Sequence, residues 1–380
     1  MNNKLKIVDL FCGCGGFGLG AEFAGFHSVV AIDIDPVLQS AYARNFPQTR
    51  IITSDLALMD RESWRLILNN EKIDGVIGGP PCQGYSRMGH SDKNDPRRSL
   101  LKDFFRTVNI IKPKFFVMEN VEGLMDAHNR YELDDALSIL SEDYFVLKPV
   151  IVDASDYGAP TKRKRVIVIG YIPDFFCHFS SDDIKPLSPI RTTVKDAIYD
   201  LEAPIVQSKL KDDYGWNGYR KRNELSDYAH MMRSLPQEGL GDVLFIDKIK
   251  ADLVSGNFET LHTDIVRERF EKLKPGEIDK ISKAKKLEWN GLCPTLRAGT
   301  GSDKGSHQAI RPIHPESGRV ITVREAARLQ GFPDWFSFHP TKWHSFRMIG
   351  NSVSPLVSKA ILSFIKSKII YDENGLTKIV

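Results

Sequence analysis

The segment GGPPCQGYS at residues 78–86 contains the side chain with the strongest chemical potential in this chain, the thiol of Cys82. Two prolines precede Cys82 and restrict the backbone directly before it. A lone cysteine is most often a small core residue. A cysteine aimed rigidly from the end of a strand can instead act as a nucleophile. We interpret Cys82 as a candidate nucleophile and residues 84–99 as a candidate closing loop.

Charged side chains lie beside two further apolar runs. Glu119 ends the run VME, and Arg163 and Arg165 directly precede the run VIVIG at residues 166–170. Strand alternation would place both arginines on one face. A carboxyl group could hydrogen-bond or protonate a ring nitrogen, and guanidinium groups suit a phosphate or a pyrimidine carbonyl. Taken singly, these residues equally fit a polar strand exit and a solvated basic edge.

The glycine-rich segment DLFCGCGGFGLG at residues 9–20 lies between a strand-like and a helix-like run. Glycines allow a tight turn and close approach to a ligand, and a helix N-terminus favours polar or anionic groups. Such a turn fits NAD, FAD or S-adenosylmethionine equally. Asp33 could hold ribose hydroxyls and Asp55 an adenine amino group, although each aspartate alone also fits a helix cap. Together, the three sites predict a nucleoside cofactor.

The elements that must position these residues alternate between strands and helices. The predicted strands are residues 6–11, 28–33, 75–78, 115–119, 145–152 and 165–171. The predicted helices are residues 21–25, 36–45, 100–111 and 133–141. This alternation predicts an α/β fold with a doubly wound, mostly parallel sheet. Ligands of such sheets bind at the carboxyl ends of the strands, where the cysteine, carboxylate and glycine motifs fall.

The pattern changes after about residue 173, where the chain becomes polar and irregular. We predict a second, smaller, loop-rich domain there. A helix at 322–330, with Gly331 and Pro333 as stop signals, and a turn and helix at 349–369 then return to the first domain. The predicted division is a catalytic and cofactor-binding domain (1–195), a recognition domain (196–305) and a returning C-terminal segment (306–380).

Composition narrows the class of protein. The chain has 380 residues, 42% hydrophobic and 27% charged, with a net charge of +3, which permits nucleic-acid binding without demonstrating it. The five cysteines are odd in number and scattered, so neither a disulfide framework nor a metal site is predicted. No apolar run approaches the roughly 20 residues of a membrane span, and no signal peptide is recognised. We expect a cytoplasmic protein with no membrane partner.

The order of the motifs resembles that of the DNA (cytosine-5)-methyltransferase family, of the bacterial restriction–modification type. The matching segments are DLFCGCGGFGLG (9–20), AIDIDP (31–36), GGPPCQGYS (78–86), MENVEGL (118–124), KRKRVIVIG (162–170), VREAARLQGFP (323–333) and IGNSVSP (349–355). They extend over nearly the whole chain. The resemblance implies a methyltransferase fold, with residues 196–305 as a target-recognition domain.

The resemblance also implies a reaction. Cys82 would attack carbon 6 of a flipped cytosine, Glu119 would bind ring nitrogen 3 and the exocyclic amine, and Arg163 and Arg165 would hold the base. The cofactor would be S-adenosyl-L-methionine, with S-adenosyl-L-homocysteine as product. The residues implied for the cofactor site are Asp9, Phe11, Gly13, Gly15, Gly16, Asp33, Ile34, Asp55, Leu56, Gly79, Pro81, Leu100, Asn351 and Ser352.

The implied partner is double-stranded DNA, bound by a monomer, and a cognate restriction endonuclease would act separately. The residues implied for DNA binding are Gln83, Ser86, Arg97 and Arg297. Thr161 stands where the family usually has a glutamine, which puts the contacts of that glutamine in doubt. A tRNA cytosine methyltransferase is the main alternative, although its recognition segment would be shorter. A DNA-binding relative without activity and a nicotinamide oxidoreductase are the others.

Overall fold

The structure is a computed structural model that describes residues 4–81, 99–184, 186, 191–208, 210, 213–221, 224–298 and 311–371. Within them, the strands are β1 (Leu5–Leu10), β2 (Phe26–Asp33), β3 (Arg50–Thr53), β4 (Gly75–Gly78), β5 (Phe115–Val121), β6 (Phe145–Val146), β7 (Val150–Asp153) and β8 (Lys164–Tyr171). The helices are α1 (Gly16–Phe23), α2 (Pro36–Asn45), α3 (Arg61–Leu68), α4 (Leu100–Ile111), α5 (Arg130–Leu137), α6 (Val194–Ile198), α7 (Asp227–Arg233), α8 (Val243–Lys250), α9 (Asp264–Lys272), α10 (Val323–Gln330), α11 (Lys342–Asn351) and α12 (Pro355–Ser367).

The strands form one mixed sheet in the order β3-β2-β1-β4-β5-β8-β6, and β7 also pairs with β8. Strands β1 to β5 pair in parallel, because a helical crossover returns the chain to the same edge each time. This confirms the predicted α/β, mostly parallel fold. Strand β8 runs antiparallel to β5, with Arg165 opposite Val121. The start of β8 therefore lies at the carboxyl ends of the parallel strands, which brings Arg165 beside Glu119.

Several predicted boundaries were wrong for identifiable reasons. The predicted strand 145–152 is two strands, β6 and β7, because Pro149 between them has no N–H to donate to the sheet. The predicted helix 133–141 begins and ends earlier, as α5. Strand β3 and helix α3 were not predicted at all, since the short runs RIIT and RESWRLIL were left without an assignment.

Helix α1 begins at Gly16, five residues before the predicted start. Glycine has a low helix propensity, so the start of this helix was not predicted from the glycine-rich sequence. The glycines are instead required by close packing, since a Cβ at Gly16 would overlap Ser352 Oγ and one at Gly20 would overlap Ser358. Ser358 in α12 also donates a hydrogen bond to the carbonyl of Phe17 at 2.7 Å. Helix α12 thus packs directly against α1.

Residues 342–367 meet the length and composition criteria for a membrane-spanning helix, although 56% of their most apolar window is buried in the protein. The chain leaves helical geometry between Asn351 and Pro355, so the segment consists of α11 and α12. Buried residues of α12 belong to the same apolar cluster as Phe17 and Ala21 of α1. The segment is accounted for as a core element.

Buried contacts cross the predicted boundary between the first two domains. Apolar side chains of α6 and α7 belong to the same cluster as those of α2 and α10. A separate, smaller cluster joins Phe270 of α9 to Ala284, Ile313 and Val320. The division at residues 195 and 305 stays a prediction.

Candidate active site

A cavity of about 620 Å³ lies at the carboxyl edge of the sheet, within the range of roughly 300–1,000 Å³ typical of small-molecule sites. Its wall includes Glu119, Arg163 and Arg165 together with most of the residues implied for the cofactor. The latter are Asp9, Phe11, Gly13, Gly16, Asp33, Ile34, Asp55, Leu56, Gly79, Pro81, Leu100, Asn351 and Ser352. Gly15 lies behind the wall, where a Cβ would press on Phe46 and Tyr42.

The glycine-rich loop is held in a shape suited to a ligand. Asp33 accepts hydrogen bonds from the N–H groups of Gly13 at 2.8 Å and Asp35 at 2.9 Å. Gly13 has φ +52°, and a Cβ there would meet nothing within 4 Å. Phe11 adopts φ +54° although it is not a glycine, a conformation that is rare and costly for an aromatic residue. The loop therefore holds Phe11 in an unfavourable backbone conformation and has open space beside Gly13.

The wall beyond Asp33 combines an exposed apolar side chain with two carboxylates. Ile34 is 64% exposed beside the cavity. Asp55 caps a short 3₁₀ turn, accepting the N–H of Ala57 at 3.0 Å, so it serves as a cap and also lines the cavity. Asp35 pairs with Arg347 of α11 at 2.6 Å. Sequence reasoning missed Arg347, which lies four residues before Asn351 without a motif of its own.

Asp9 is a buried carboxyl group behind the glycine-rich loop. Tyr42 donates a hydrogen bond to its Oδ2 at 3.1 Å. Its Oδ1 accepts no hydrogen bond within the described residues. Burial raises the pKa of Asp9 from 3.8 to about 8, against the lowering effect of the Tyr42 hydroxyl. The group is consequently poised to be protonated over most of the neutral range.

The opposite end of the cavity carries an ion pair. Arg165 Nε lies 2.8 Å from Glu119 Oε1; Glu119 is buried and Arg165 is half-buried. The absence of a side chain at Gly79 makes room for Glu119, because a Cβ there would lie 3.2 Å from Glu119 Oε2. Asn120 donates a hydrogen bond to the carbonyl of Pro80 at 3.3 Å. The turn leading to Cys82 is thus tied to the strand that carries Glu119.

Four predicted site residues lie outside the described part of the chain. They are Cys82, Gln83, Ser86 and Arg97, together with almost all of the predicted closing loop at 84–99. Arg297 is described and exposed. Among the described residues, no group of three or more His, Cys, Asp or Glu side chains could hold a metal ion.

Arg163 and Thr161 bond to distant backbone. Arg163 is buried and donates hydrogen bonds to the carbonyls of Leu296 at 3.2 Å and Gly350 at 3.0 Å. Thr161, at the position usually held by glutamine, donates its hydroxyl to the carbonyl of Cys293 at 3.3 Å. Arg163 and Arg165 both line the cavity, but their contacts differ.

The sheet and this cavity define an α/β protein whose small-molecule site lies across the carboxyl ends of its strands. The family is then identified by comparison. The family model described as C-5 cytosine-specific DNA methylase matches residues 5–367. This chain belongs to that family, and it is a DNA cytosine-5 methyltransferase.

Individual relatives agree with this assignment. The Type II methyltransferase M.XorII of Xanthomonas oryzae pv. oryzae is 39% identical over 93% of this chain and 82% of its own length. The Type II methyltransferase M.DdeI of Desulfomicrobium norvegicum is 31% identical over 94% of this chain and 87% of its own. A solved structure of a DNA modification methyltransferase encoded within an E. coli prophage matches 96% of this chain and 99% of its own at 41% identity, with a TM-score of 0.85.

Proposed function

We propose that this enzyme transfers a methyl group from S-adenosylmethionine to carbon 5 of a flipped-out cytosine in a specific duplex DNA sequence, through a covalent adduct of Cys82. One observation carries the proposal. The residues that the family resemblance implies for the cofactor line the same cavity as the Glu119–Arg165 pair. A cofactor and a pyrimidine ring could therefore meet there.

The described residues fit S-adenosylmethionine. Gly13 leaves open space beside Asp33, so a ribose could approach the carboxylate closely. The exposed side chain of Ile34 offers an apolar surface for an adenine ring. Asp55 lies on the same wall, within the set that would accept the adenine amine. When bound there, the cofactor supplies the methyl group.

The protein's own residues would activate the cytosine. Carbon 5 is a weak nucleophile, so the Cys82 thiolate first bonds to carbon 6, and the resulting enamine is nucleophilic at carbon 5. Glu119, in its acid form, would give a proton to ring nitrogen 3 as the bond to carbon 6 forms, and it would accept a hydrogen bond from the exocyclic amine, which stabilises that intermediate. Arg165 would hold Glu119 in place and contact the base carbonyl. After methylation, carbon 5 loses its proton and the bond between carbon 6 and Cys82 breaks.

The proposed substrate is based on the family of the chain and on whether a cytosine can reach the cavity. A cytosine within a duplex cannot reach the cavity, so it must be flipped out. We assign residues 196–305 to target recognition, with Arg297 near the DNA. Because its relatives are Type II methyltransferases, we assign the protein to modification in a restriction–modification system. It would act as a cytoplasmic monomer.

Methyl transfer from labelled S-adenosylmethionine to mixed-sequence duplex DNA tests the proposal. Wild type, Cys82→Ala and Cys177→Ala are compared, since Cys177 is an exposed free thiol that does not line the cavity. We expect 5-methylcytosine from wild type and Cys177→Ala, and none from Cys82→Ala. Labelling of tRNA but not DNA would refute the substrate. Binding of DNA without labelling would refute the activity.

A further inference from the structure

Residues 293–298, here called the strap, lie against the segment that leads into β8. Thr161 and Cys293 form a parallel bridge. The N–H of Cys293 donates to the carbonyl of Pro160, and the N–H of Lys162 donates to the carbonyl of Cys293, both at 2.9 Å. Thr295 donates its hydroxyl to the carbonyl of Lys162 at 2.5 Å. The strap is therefore hydrogen-bonded through Cys293 and Thr295 to the segment that leads into β8.

The strap also touches the segment that completes the cofactor side of the cavity. A Cβ at Gly350 would overlap the backbone of Arg297 and Ala298, so the two main chains are in direct contact. Asn351 and Ser352, which follow Gly350, line the cavity. The strap residues themselves are not among the described residues of the cavity wall. Gly350 also lines the cavity, so this one residue is part of the cavity wall and contacts the strap directly.

Arg163 lies where these segments meet. Its buried guanidinium donates to the carbonyl of Leu296 in the strap and to that of Gly350. Two bonds from one rigid, planar group fix the relative position of two backbones. Breaking either would leave a buried carbonyl without its charged donor, which is costly. Arg165, by contrast, pairs with Glu119.

We propose that Arg163 is a positioning residue that couples cofactor binding to DNA recognition, and that it does not hold the flipped base. This inference rests on the proposed function, since it takes Asn351 and Ser352 as part of the cofactor site. A cofactor that orders residues 350–352 would order the strap through Arg163. The strap lies within the last residues of the predicted recognition domain (196–305). By linkage, DNA bound there would tighten cofactor binding by the same factor.

The test measures the affinity for a duplex containing the target site, by fluorescence anisotropy, with and without S-adenosylhomocysteine. The ratio of the two affinities is the coupling, for which roughly 5- to 150-fold is typical. We expect Arg163→Met to bring this ratio close to one. Arg163→Lys should restore only part of it, because one ammonium group cannot reproduce the planar fork. Lys164→Met, which removes an exposed neighbouring charge, should weaken DNA binding equally in both conditions and leave the ratio unchanged.

An unchanged ratio in Arg163→Met, with only the rate of methyl transfer reduced, would overturn the inference in favour of a base contact. Hydrogen exchange of the wild-type protein provides a test that requires no variant to fold. S-adenosylhomocysteine should slow exchange of the amides in 293–298, and unchanged exchange there would also overturn the inference. If wild type does not bind S-adenosylhomocysteine at all, the proposed function fails and this inference fails with it.

Discussion

Two clusters of arginine and carboxylate side chains occur in this protein, and their surroundings are opposite. The cavity pair, Glu119 and Arg165, keeps 11% and 17% of its side-chain surface exposed. In the α10 cluster, Arg328 is fully buried and bonded to Asp334 at 2.8 and 2.6 Å and to Asp200 at 2.5 Å. Arg324 is equally buried and donates to three backbone carbonyls.

The difference shows why a charged motif alone does not identify chemistry. Both VMENV and VREAARLQ are recognisable segments, but only the first lies at a strand end beside a cavity. The charged side chains of the α10 cluster are hydrogen-bonded to other groups of the protein. These bonds connect α6 and α10 to the loop after α10. Gln330 of α10 also donates to the carbonyl of Ser352 at 3.0 Å. We infer that the α10 cluster is scaffold that supports the cavity from behind.

Glu119→Gln should have the largest effect on activity. The amide keeps the shape of the side chain but cannot transfer a proton to ring nitrogen 3, so methyl transfer in a single turnover should slow by about 10²- to 10⁴-fold. Folding should be nearly unaffected because the pair is partly solvated. Glu62→Gln, which alters the exposed pair with Arg65, is the control. A decrease in the methyl-transfer rate of less than tenfold would contradict a catalytic role for the cavity pair, and so its functional difference from the α10 cluster.

Arg328→Met should have the largest effect on stability. It leaves Asp334 and Asp200 with a lost partner in the interior, and removal of one member of a buried pair costs about 3–5 kcal/mol. Urea unfolding monitored by fluorescence measures the loss. Arg65→Met is the matched control, and should change the free energy of unfolding far less because the Arg65 pair is exposed to solvent. Equal losses in the two variants would contradict the scaffold role.

The elements predicted well from sequence were those with local signals. Helices α2 and α4 and strand β4 have the predicted bounds, because an N-cap, apolar spacing or a short β-branched run marks each of them. The cavity residues at strand ends were predictable for a related reason. A parallel sheet brings the carboxyl ends of its strands together whatever the intervening loops.

Features that depend on distant contacts were not predictable. The start of α1 at Gly16 makes sense only against Ser352 in the turn before α12. Arg347 enters the cavity wall through its pair with Asp35, about 300 residues earlier. Nothing in KRKR distinguishes Arg163 from Arg165, whose different roles arise from Leu296, Gly350 and Glu119. Such pairings belong to tertiary structure.

Asp33→Asn should lower the affinity of the cavity for the cofactor, with a smaller effect than the two preceding substitutions. Hydrogen bonds to a charged group are worth about 1.5–3 kcal/mol, so the affinity for S-adenosylhomocysteine, measured by calorimetry, should fall by roughly 10- to 100-fold. The rate at saturating cofactor should change much less. Asp60→Asn, at the exposed N-cap of α3, is the control. An unchanged affinity would argue against Asp33 as a ribose ligand.

Asp9 provides a third case for the comparison. It is buried, as the carboxylates of the α10 cluster are, but it has no arginine partner among the described residues. Burial opposes ionisation at both Asp9 and Asp334, but Arg328 lowers the pKa of Asp334, whereas burial raises that of Asp9 to about 8. Between pH 4 and 8 the folded state therefore holds a proton that the unfolded state has lost. The free energy of unfolding should then fall as pH rises, by at most about 1.4 kcal/mol per pH unit from this group.

Asp9→Asn removes this proton equilibrium while keeping the size of the side chain. The difference in unfolding free energy between Asp9→Asn and wild type, measured by urea unfolding without cofactor, should shift in favour of the variant from pH 5 to pH 8. It should level off above about pH 8, where wild-type Asp9 is ionised in both states. A difference that stays constant over this range would mean that Asp9 ionises normally when folded. In that case, the absence of a cationic partner would not make the pKa of buried Asp9 differ from the pKa values of the arginine-paired carboxylates around α10.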